Sequence, residues 1–409
     1  MLCSLVLSAA AANAEVLTVR DCVRLALARS PAAQAAAFEV DAASARVRAA
    51  RAAYAPQLKV EAEYGRSQGF DEVVTNGGST AVLLTLETKL LDGGWRDAQL
   101  AAAAARLRSA AAVDQQRRAD VALAVRTAYF AAVAARTATA IHDDNVRRLD
   151  AYAGLLQRQV DLGLAPYNDV LRAQLATETA RAARRAAGAQ LDVARAELAL
   201  RTGTPLDTAS LVEPEAAPYS EVNEAMIDAS PVVADARAAA EAAHHDADSA
   251  RSEWRPHVSL TASGGALGVQ PGPTFRDNGG GQFLVGFNVP VFDNGATAAR
   301  IAATVAAAKS ADADLQEVRQ TMAVALAQRR VDASRAQADL AASRQAIPKA
   351  EENFELMRAR YFGGGNVRLL EVLDALAQYV DARLAEPQAL RAYREAVAGA
   401  QHLVGDATP

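Results

Sequence analysis

The chain has 409 residues, more than one ordinary domain needs, with 5% aromatic and 22% charged residues and alanine dominant, a helix-rich, coiled-coil-like balance. Its net charge of −5 argues against nucleic acid as the main partner. No run of about 18 apolar residues follows the N-terminus, so no transmembrane helix is expected, while a mean hydropathy near zero leaves room for a β-barrel, whose alternating strands average out.

Residues 1–14, MLCSLVLSAAAANA, are apolar and end in Ala12-Asn13-Ala14, the small-x-small pattern of a signal peptidase site. The basic start of a signal peptide is missing, so a start truncated in the given sequence is expected; a short apolar tail without meaning is the alternative. Cleavage removes Cys3 and leaves Cys22, which alone forms neither an internal disulfide nor a tetrahedral zinc site. Cys3 lacks lipobox spacing, so no lipid anchor is assigned.

Ser30-Pro31 then predicts a helix start, with serine as N-cap and proline at the first helical position. Val40, Val47 and Tyr54 follow seven apart, the spacing that keeps one face against a partner helix, until Pro56 ends the element. Leu58 to Tyr64 alternates apolar and polar, as does Val82-Leu84-Leu86-Leu90 against Leu83, Thr85, Glu87 and Lys89; residues 67–80 join the two strands. From Trp95 to Leu162 there is no proline and apolar residues recur at 3, 4 or 7, predicting a helix about 100 Å long. Leu162-Gly163-Leu164-Ala165-Pro166 is a turn into a return helix through Leu171 and Leu175.

The same order then repeats. Ser30-Pro31 recurs as Ser230-Pro231 and Tyr54-x-Pro56 as Trp254-x-Pro256, both 200 residues on; Asp92-Gly93-Gly94 recurs as Asp293-Asn294-Gly295, 201 on. Gly163 with Asp169-Val170-Leu171 recurs as Gly365 with Glu371-Val372-Leu373, 202 on. In the second copy Val233, Ala240, Ala247 and Trp254 form the helical seam, and Val258-Leu260-Ala262 and Phe283-Val285-Phe287-Val289-Val291 form the strands, joined by 269–281. A long helix runs from Asn294 to Tyr361, with a kink expected at Pro348, and the turn Phe362-Gly363-Gly364-Gly365-Asn366 leads into a return helix through Leu369, Leu373, Leu376 and Val380. The expected organisation is a first repeat over 15–203, with a β-hairpin at about 57–91 and a helical hairpin at about 94–201. A proline-bearing linker at 204–219 leads to a second repeat over 220–405, with a β-hairpin at about 257–292 and a helical hairpin at about 294–404.

Strands of about 8–11 residues have the length that crosses a bilayer when tilted. Two soluble hairpins, each with one face on a core, are the alternative, but an isolated hairpin is only marginally stable and long helices flank each one. Four strands do not close a membrane barrel, which starts at eight, and open edges facing lipid cost several kcal/mol per unsatisfied group. Membrane-spanning strands here therefore require several chains to share one barrel.

The repeat resembles the TolC-type outer-membrane efflux and secretion channels over nearly the whole mature chain. The residues that carry it are LGLAPYNDVLRAQ (162–174), RYFGGGNVRLLEVLDALAQ (360–378), and the strand-to-helix junctions LLDGG (90–94) and VFDNG (291–295). The resemblance implies a mainly α fold with a membrane β-barrel, two tandem repeats of coiled-coil helices plus a hairpin, and a homotrimer with twelve strands and twelve tunnel helices. It implies that the turns Gly163, Leu164, Ala165, Pro166 and Gly363, Gly364, Gly365, Asn366 are periplasmic tips that dock a periplasmic adaptor (membrane fusion protein) serving an inner-membrane pump. It implies that Asp169, Glu371 and Asp374, with Tyr361 and Arg368, constrict the entrance; solvated helix surface and ordinary capping is the plainer reading of all five. Leu58, Val60, Tyr64, Val82, Leu84, Leu86, Val258, Leu260, Phe283, Val285, Phe287 and Val289 would then face outer-membrane lipid.

Nothing points to an enzyme or a cofactor. His244-His245 beside Glu241 and Asp248 suggests a metal, but adjacent helical residues point about 100° apart, so a solvated face is the better reading. No G-x-S-x-G, Walker A or H-E-x-x-H pattern occurs. The expected function is an exit duct for substrates of an efflux or type I secretion system; a soluble periplasmic scaffold or adaptor is the alternative.

Overall fold

The computed structural model describes residues 17–65, 79–204, 211–214, 224–268 and 278–406. The expected signal peptide, most of both strand-connecting loops and most of the linker lie outside the described residues. In chain order the elements are α1 (Val19–Arg29), α2 (Pro31–Ala52), β1 (Gln57–Gly65), β2 (Ser79–Leu91), α3 (Trp95–Asp161) and α4 (Tyr167–Thr202). There follow α5 (Glu224–Asp228), α6 (Pro231–Ser252), β3 (His257–Gly268), β4 (Gly279–Asn288), α7 (Ala296–Phe362) and α8 (Leu369–Leu403). The chain divides into two compact units, one spanning 36–114 and 232–319, the other 1–35, 115–231 and 320–409.

The first unit holds one antiparallel sheet in the order β1-β2-β3-β4, so the hairpins of the two repeats are joined through β2 and β3. Register decides which side chains share a face, because residues directly opposite one another point the same way. Leu58 lies opposite Leu86, Val60 opposite Leu84, Leu86 opposite Ala262, Leu260 opposite Val285 and Val258 opposite Phe287. One face therefore carries Leu58, Val60, Tyr64, Val82, Leu84, Leu86, Val258, Leu260, Phe283, Val285 and Phe287, and Val60, Phe283 and Phe287 are about 70% exposed. The other face carries Lys59, Glu61, Glu63, Thr85, Glu87, Ser259, Thr261, Ser263 and Gln282, with Leu83, Leu267 and Leu284 as its large apolar exceptions. A bulge between Lys89 and Leu91 keeps Leu91 opposite Val258. Val289 and Val291, expected in the last strand, lie beyond it: β4 stops at Asn288, two residues before Pro290, which has no N–H to give a ladder.

Both strand-to-helix junctions are built by aspartate. Asp92 accepts from the backbone N–H of Gly94 at 3.1 Å and of Arg96 at 3.2 Å, and Asp293 accepts from Gly295 at 3.0 Å and Thr297 at 2.7 Å. These bonds satisfy donors that a helix start leaves open. Burial alone would raise the Asp92 carboxyl, but bonds from the Arg96 side chain and from the Arg96 and Gly94 N–H groups outweigh it, so its pKa is lowered. The residues after each aspartate are left-handed: Gly93 and Gly94 at φ +65° and +90°, Asn294 and Gly295 at +54° and +84°. In α2 the buried track is Ala33, Ala36 and Ala43, with the expected Val40 and Val47 only half buried.

The second unit is helical. α1 was not expected from the sequence; a reciprocal cap starts it, in which the Thr18 hydroxyl accepts from the Asp21 N–H at 3.3 Å and the Asp21 carboxylate accepts from the Thr18 N–H at 3.2 Å. It packs Cys22, Val23 and Ala26 against Val125, Tyr129 and Val133 of α3, with Leu198 and Leu211. One stretch of α3 is long and apolar enough, by length and composition alone, to cross a membrane, contrary to the sequence reading. Residues of this helix between Ala122 and Val133 build the core against α1. α7 continues unbroken through Pro348, and α8 through Pro387.

Candidate functional site

The two glycine turns end the long helices in the same way. After α3, Gly163 is left-handed at φ +73°, its N–H donates to the Val160 carbonyl at 2.9 Å, and the Leu164 N–H reaches back to Gln159 at 2.8 Å. After α7 the left-handed residue is Gly364, at φ +78°, while the N–H groups of Gly363 and Gly365 donate to Ala359 and Arg360 at 2.9 and 2.8 Å. Gly364, not Gly365, is thus the counterpart of Gly163, at the same offset as the Asp92 and Asp293 junctions. The extra residue lies after the left-handed glycine: α4 starts four residues past Gly163, α8 five past Gly364. Leu162 and Leu164 are 72% and 74% exposed, whereas the second turn presents glycine backbone and Asn366.

Asp169 and Glu371 each occupy the third position of their helices, where negative charge suits the helix dipole. Their partners differ. The Tyr361 hydroxyl donates to Asp169 Oδ2 at 2.9 Å, tying α7 of the second repeat to α4 of the first. The ring packs beside Leu156, Val170 and Leu369. Burial first, then the hydrogen bond to Asp169 and that carboxylate's charge, push the Tyr361 hydroxyl well above the usual tyrosine range. Glu371 accepts from Arg368 Nε at 3.4 Å on an open surface, and Asp374 accepts from Gln378 Nε2 at 3.3 Å. Five residues singled out by sequence thus resolve into one inter-repeat bond, Tyr361–Asp169, and two local contacts.

The sequence did not reveal what braces that bond. An aromatic run leads away from it: Tyr361 edge-on to Phe362 at 5.1 Å, Phe362 stacked on Tyr152, Tyr152 edge-on to Phe354, and Phe354 stacked on Tyr379 at 6.0 Å. Such pairs contribute about 0.5–1.5 kcal/mol each beyond area burial. Asp144 accepts from Arg148 at 3.0 Å and from Arg383 at 2.6 Å; burial alone would raise its carboxyl, and the two guanidinium groups outweigh it and lower it. The Asp144–Arg148 spacing is visible in sequence as i and i+4, but Arg383 arrives from α8. Among the described residues no group of three or more potential ligands assembles for a metal; His244 instead faces both carboxylate oxygens of Asp312 at 3.0 and 3.1 Å.

An amphipathic antiparallel sheet with two open edges, twice-repeated long helices and glycine-turned tips match one family in comparison. The profile of the Outer membrane efflux protein family matches residues 22–204 and again 224–406. The chain belongs to the outer membrane efflux protein family. Protein CyaE of Bordetella pertussis is 31% identical over 389 residues, 90% of this chain and 79% of the relative. Outer membrane efflux protein BepC of Brucella suis is 24% identical over 347 residues, 83% and 75% of the two chains. The crystal structure of the outer membrane protein VceC from Vibrio cholerae superposes with a TM-score of 0.82 over 95% of this chain and 96% of that one, at 19% identity, a likeness of fold. The protein is an outer-membrane channel with a long periplasmic helical portion, an exit duct for efflux or secretion and not an enzyme, and the soluble-scaffold alternative is not favoured. Channels of this family work with adaptor and inner-membrane pump partners.

Proposed function

We propose that three copies of this chain, each freed of residues 1–14, share one twelve-stranded barrel and one helical tunnel, a passive duct for material passed on by an inner-membrane pump through a periplasmic adaptor. The observation that carries this is the sheet register, which collects eleven of the twelve candidate lipid-facing side chains on one exposed face and the charged residues on the other. Such a face is stable in lipid only if β1 and β4 find partners, and four strands are too few to find them in each other. In this reading the repeats at 15–203 and 220–405 each contribute one hairpin to the barrel and one helical hairpin to the tunnel. Leu162 and Leu164 supply an apolar tip, and Gly363 to Asn366 a bare-backbone tip, for two hairpins of the adaptor. Tyr361 and Asp169 form a latch that narrows the entrance; Glu371, Asp374 and Arg368 line it, and the excess of carboxylates favours cations.

Cell fractionation followed by detergent extraction and planar-bilayer recording tests the reading. The expected result is an oligomer in the outer-membrane fraction that conducts after reconstitution. A monomer that is recovered without detergent and does not conduct would sink it.

A further inference from the structure

The two helical hairpins are copies of one unit, so the side chains that meet inside the first predict those that meet inside the second. In the first, Arg181 of α4 pairs with Asp150 of α3 at 2.9 Å. The long helices correspond as Gly163 does to Gly364, and the return helices as Asp169 does to Glu371. On those offsets the counterpart of Asp150 is Glu351 and that of Arg181 is Arg383. A faithful copy pairs Arg383 of α8 with Glu351 of α7, which closes the second hairpin on itself as the first is closed.

The second hairpin departs from this pattern. Arg383 reaches across the repeat boundary and donates to Asp144 of α3 at 2.6 Å, and Glu351 instead accepts from the Tyr379 hydroxyl at 3.2 Å. Tyr379 stands where the first repeat has Thr177, whose short side chain only bonds back to Ala173 of its own helix. The Tyr379 ring carries Arg383 over its face, the guanidinium carbon 5.5 Å from the centroid, while its hydroxyl end touches Glu351. One guanidinium thus has two carboxylates at hand, one that it holds and one that the repeat assigns to it. Neither is stranded by an exchange. Without Arg383, Asp144 keeps Arg148 at 3.0 Å and Arg147 at 3.6 Å; Glu351 gives only Oε1 to Tyr379. An exchange therefore avoids the unpaired buried charge that makes breaking an ion pair costly.

We propose that Arg383 is a two-position residue that sets the closure of the duct: on Asp144 it holds the α7–α8 hairpin to α3, and on Glu351 it lets that hairpin go. This rests on the reading of Tyr361 and Asp169 as a latch and names a second tie between the repeats. Glu351 and Tyr361 are ten residues apart on α7, about 15 Å along the helix, so the two ties are separate in space. The aromatic run from Tyr361 to Tyr379 joins them. Moving the second hairpin away from the first requires both ties to part. The acceptor waiting at Glu351 lowers the cost of parting the second and gives the hairpin two discrete arrangements.

Planar-bilayer recording of the full chain tests it, because an exchange and a fixed brace predict opposite signs. Asp144→Asn withdraws charge from the closed position and is expected to raise the open-to-closed ratio about tenfold, the weight of a charge-assisted bond. Glu351→Gln withdraws charge from the open position but keeps an acceptor for Tyr379. Added to Asp144→Asn or to Tyr361→Phe, it is expected to lower the ratio about two- to fivefold, the weight of an exposed ion pair. Glu351→Asp keeps the charge and is expected to match its background. If Glu351 only braces α7 against α8, Glu351→Gln raises the ratio, leaves it unchanged or prevents assembly, and each of these overturns the exchange. So does an Asp144→Asn chain that fails to assemble or conducts like the wild type. A Tyr361→Phe chain that conducts like the wild type overturns the latch alone, since the opposite signs of Asp144→Asn and Glu351→Gln are read without it. An assembled wild type that does not conduct overturns the duct and the exchange together.

Discussion

Replacing Tyr361 by phenylalanine removes one hydroxyl and keeps the ring in its place beside Leu156 and Val170. The lost bond runs 2.9 Å to a carboxylate oxygen, and a hydrogen bond to a charged group contributes about 1.5–3 kcal/mol net. Taking about 2 kcal/mol, with a tenfold shift for every 1.4 kcal/mol, the closed-to-open ratio falls about 30-fold for each latch. In the proposed ring of three copies every latch is lost at once, which opens the entrance further. Tyr361→Phe is therefore expected to raise single-channel conductance in planar bilayers and to sensitise cells to large antibiotics that the outer membrane excludes. Asp169→Asn, which keeps an acceptor without the charge, should fall between the wild type and Tyr361→Phe. The hydroxyl's raised pKa sets the sign of the pH effect: the stabilisation is complete below the unfolded tyrosine value of about 10 and is lost only as pH climbs through the higher folded value. Wild-type conductance should thus stay level from about pH 7 to 9 as far as this tyrosine governs it. If Tyr361→Phe and Asp169→Asn both assemble and conduct like the wild type, the latch does not hold the entrance.

Three further perturbations test the rest of the structure. Phe283→Arg, on the apolar face, should cost about 2–4 kcal/mol at mid-bilayer and deplete heat-resistant oligomer in outer membranes, whereas Thr261→Arg on the opposite face should assemble and alter conductance. Gly295→Ala should cost about 1–2 kcal/mol for its left-handed backbone; Gly93→Ala should cost more, since its new Cβ would lie 2.5 Å from Arg255 Cβ, and comparative thermal unfolding reads the difference. Asp92→Ala should cost about 1 kcal/mol as a lost cap, and because the carboxyl's pKa is lowered, the wild type's advantage over the variant should be full above about pH 4 and shrink as pH falls through the folded value.

What the sequence made legible follows the range of the physics involved. Ser30-Pro31, Asp92-Gly93-Gly94 and the alternating strands act through neighbours along the chain, and their elements form where expected. Where local rules compete, spacing alone misleads. Alternation carried the last strand through Val289 and Val291, but Pro290 stops it at Asn288. Three consecutive glycines do not say which one turns left-handed; the backbone bonds to Ala359 and Arg360 select Gly364. α1 is not read from the sequence, although Thr18-x-x-Asp21 spells its capping box and Val19, Cys22, Val23, Ala26 and Leu27 form its packed face. The contact of Arg383 with Asp144 spans 239 residues and leaves no trace in spacing.

Repetition and function pull in different directions, and the tips show where each prevails. At the strand-to-helix junctions both copies need an aspartate followed by left-handed residues, because the backbone turn and the first helical N–H groups are the same. The contact between repeats is one-sided. It takes its donor from the end of one long helix and its acceptor from the start of the other repeat's return helix, two positions that are not equivalent, and only the second repeat places a tyrosine at the donor position. At the offset fixed by the left-handed glycines, Tyr361 stands where the first repeat has Val160, while Asp169 and Glu371 keep the same helical position. Only Asp169 then accepts a hydrogen bond from a tyrosine hydroxyl, and Glu371 is left to Arg368 on an open surface. The two turns have thus diverged so that the second repeat supplies the tyrosine and the first the carboxylate.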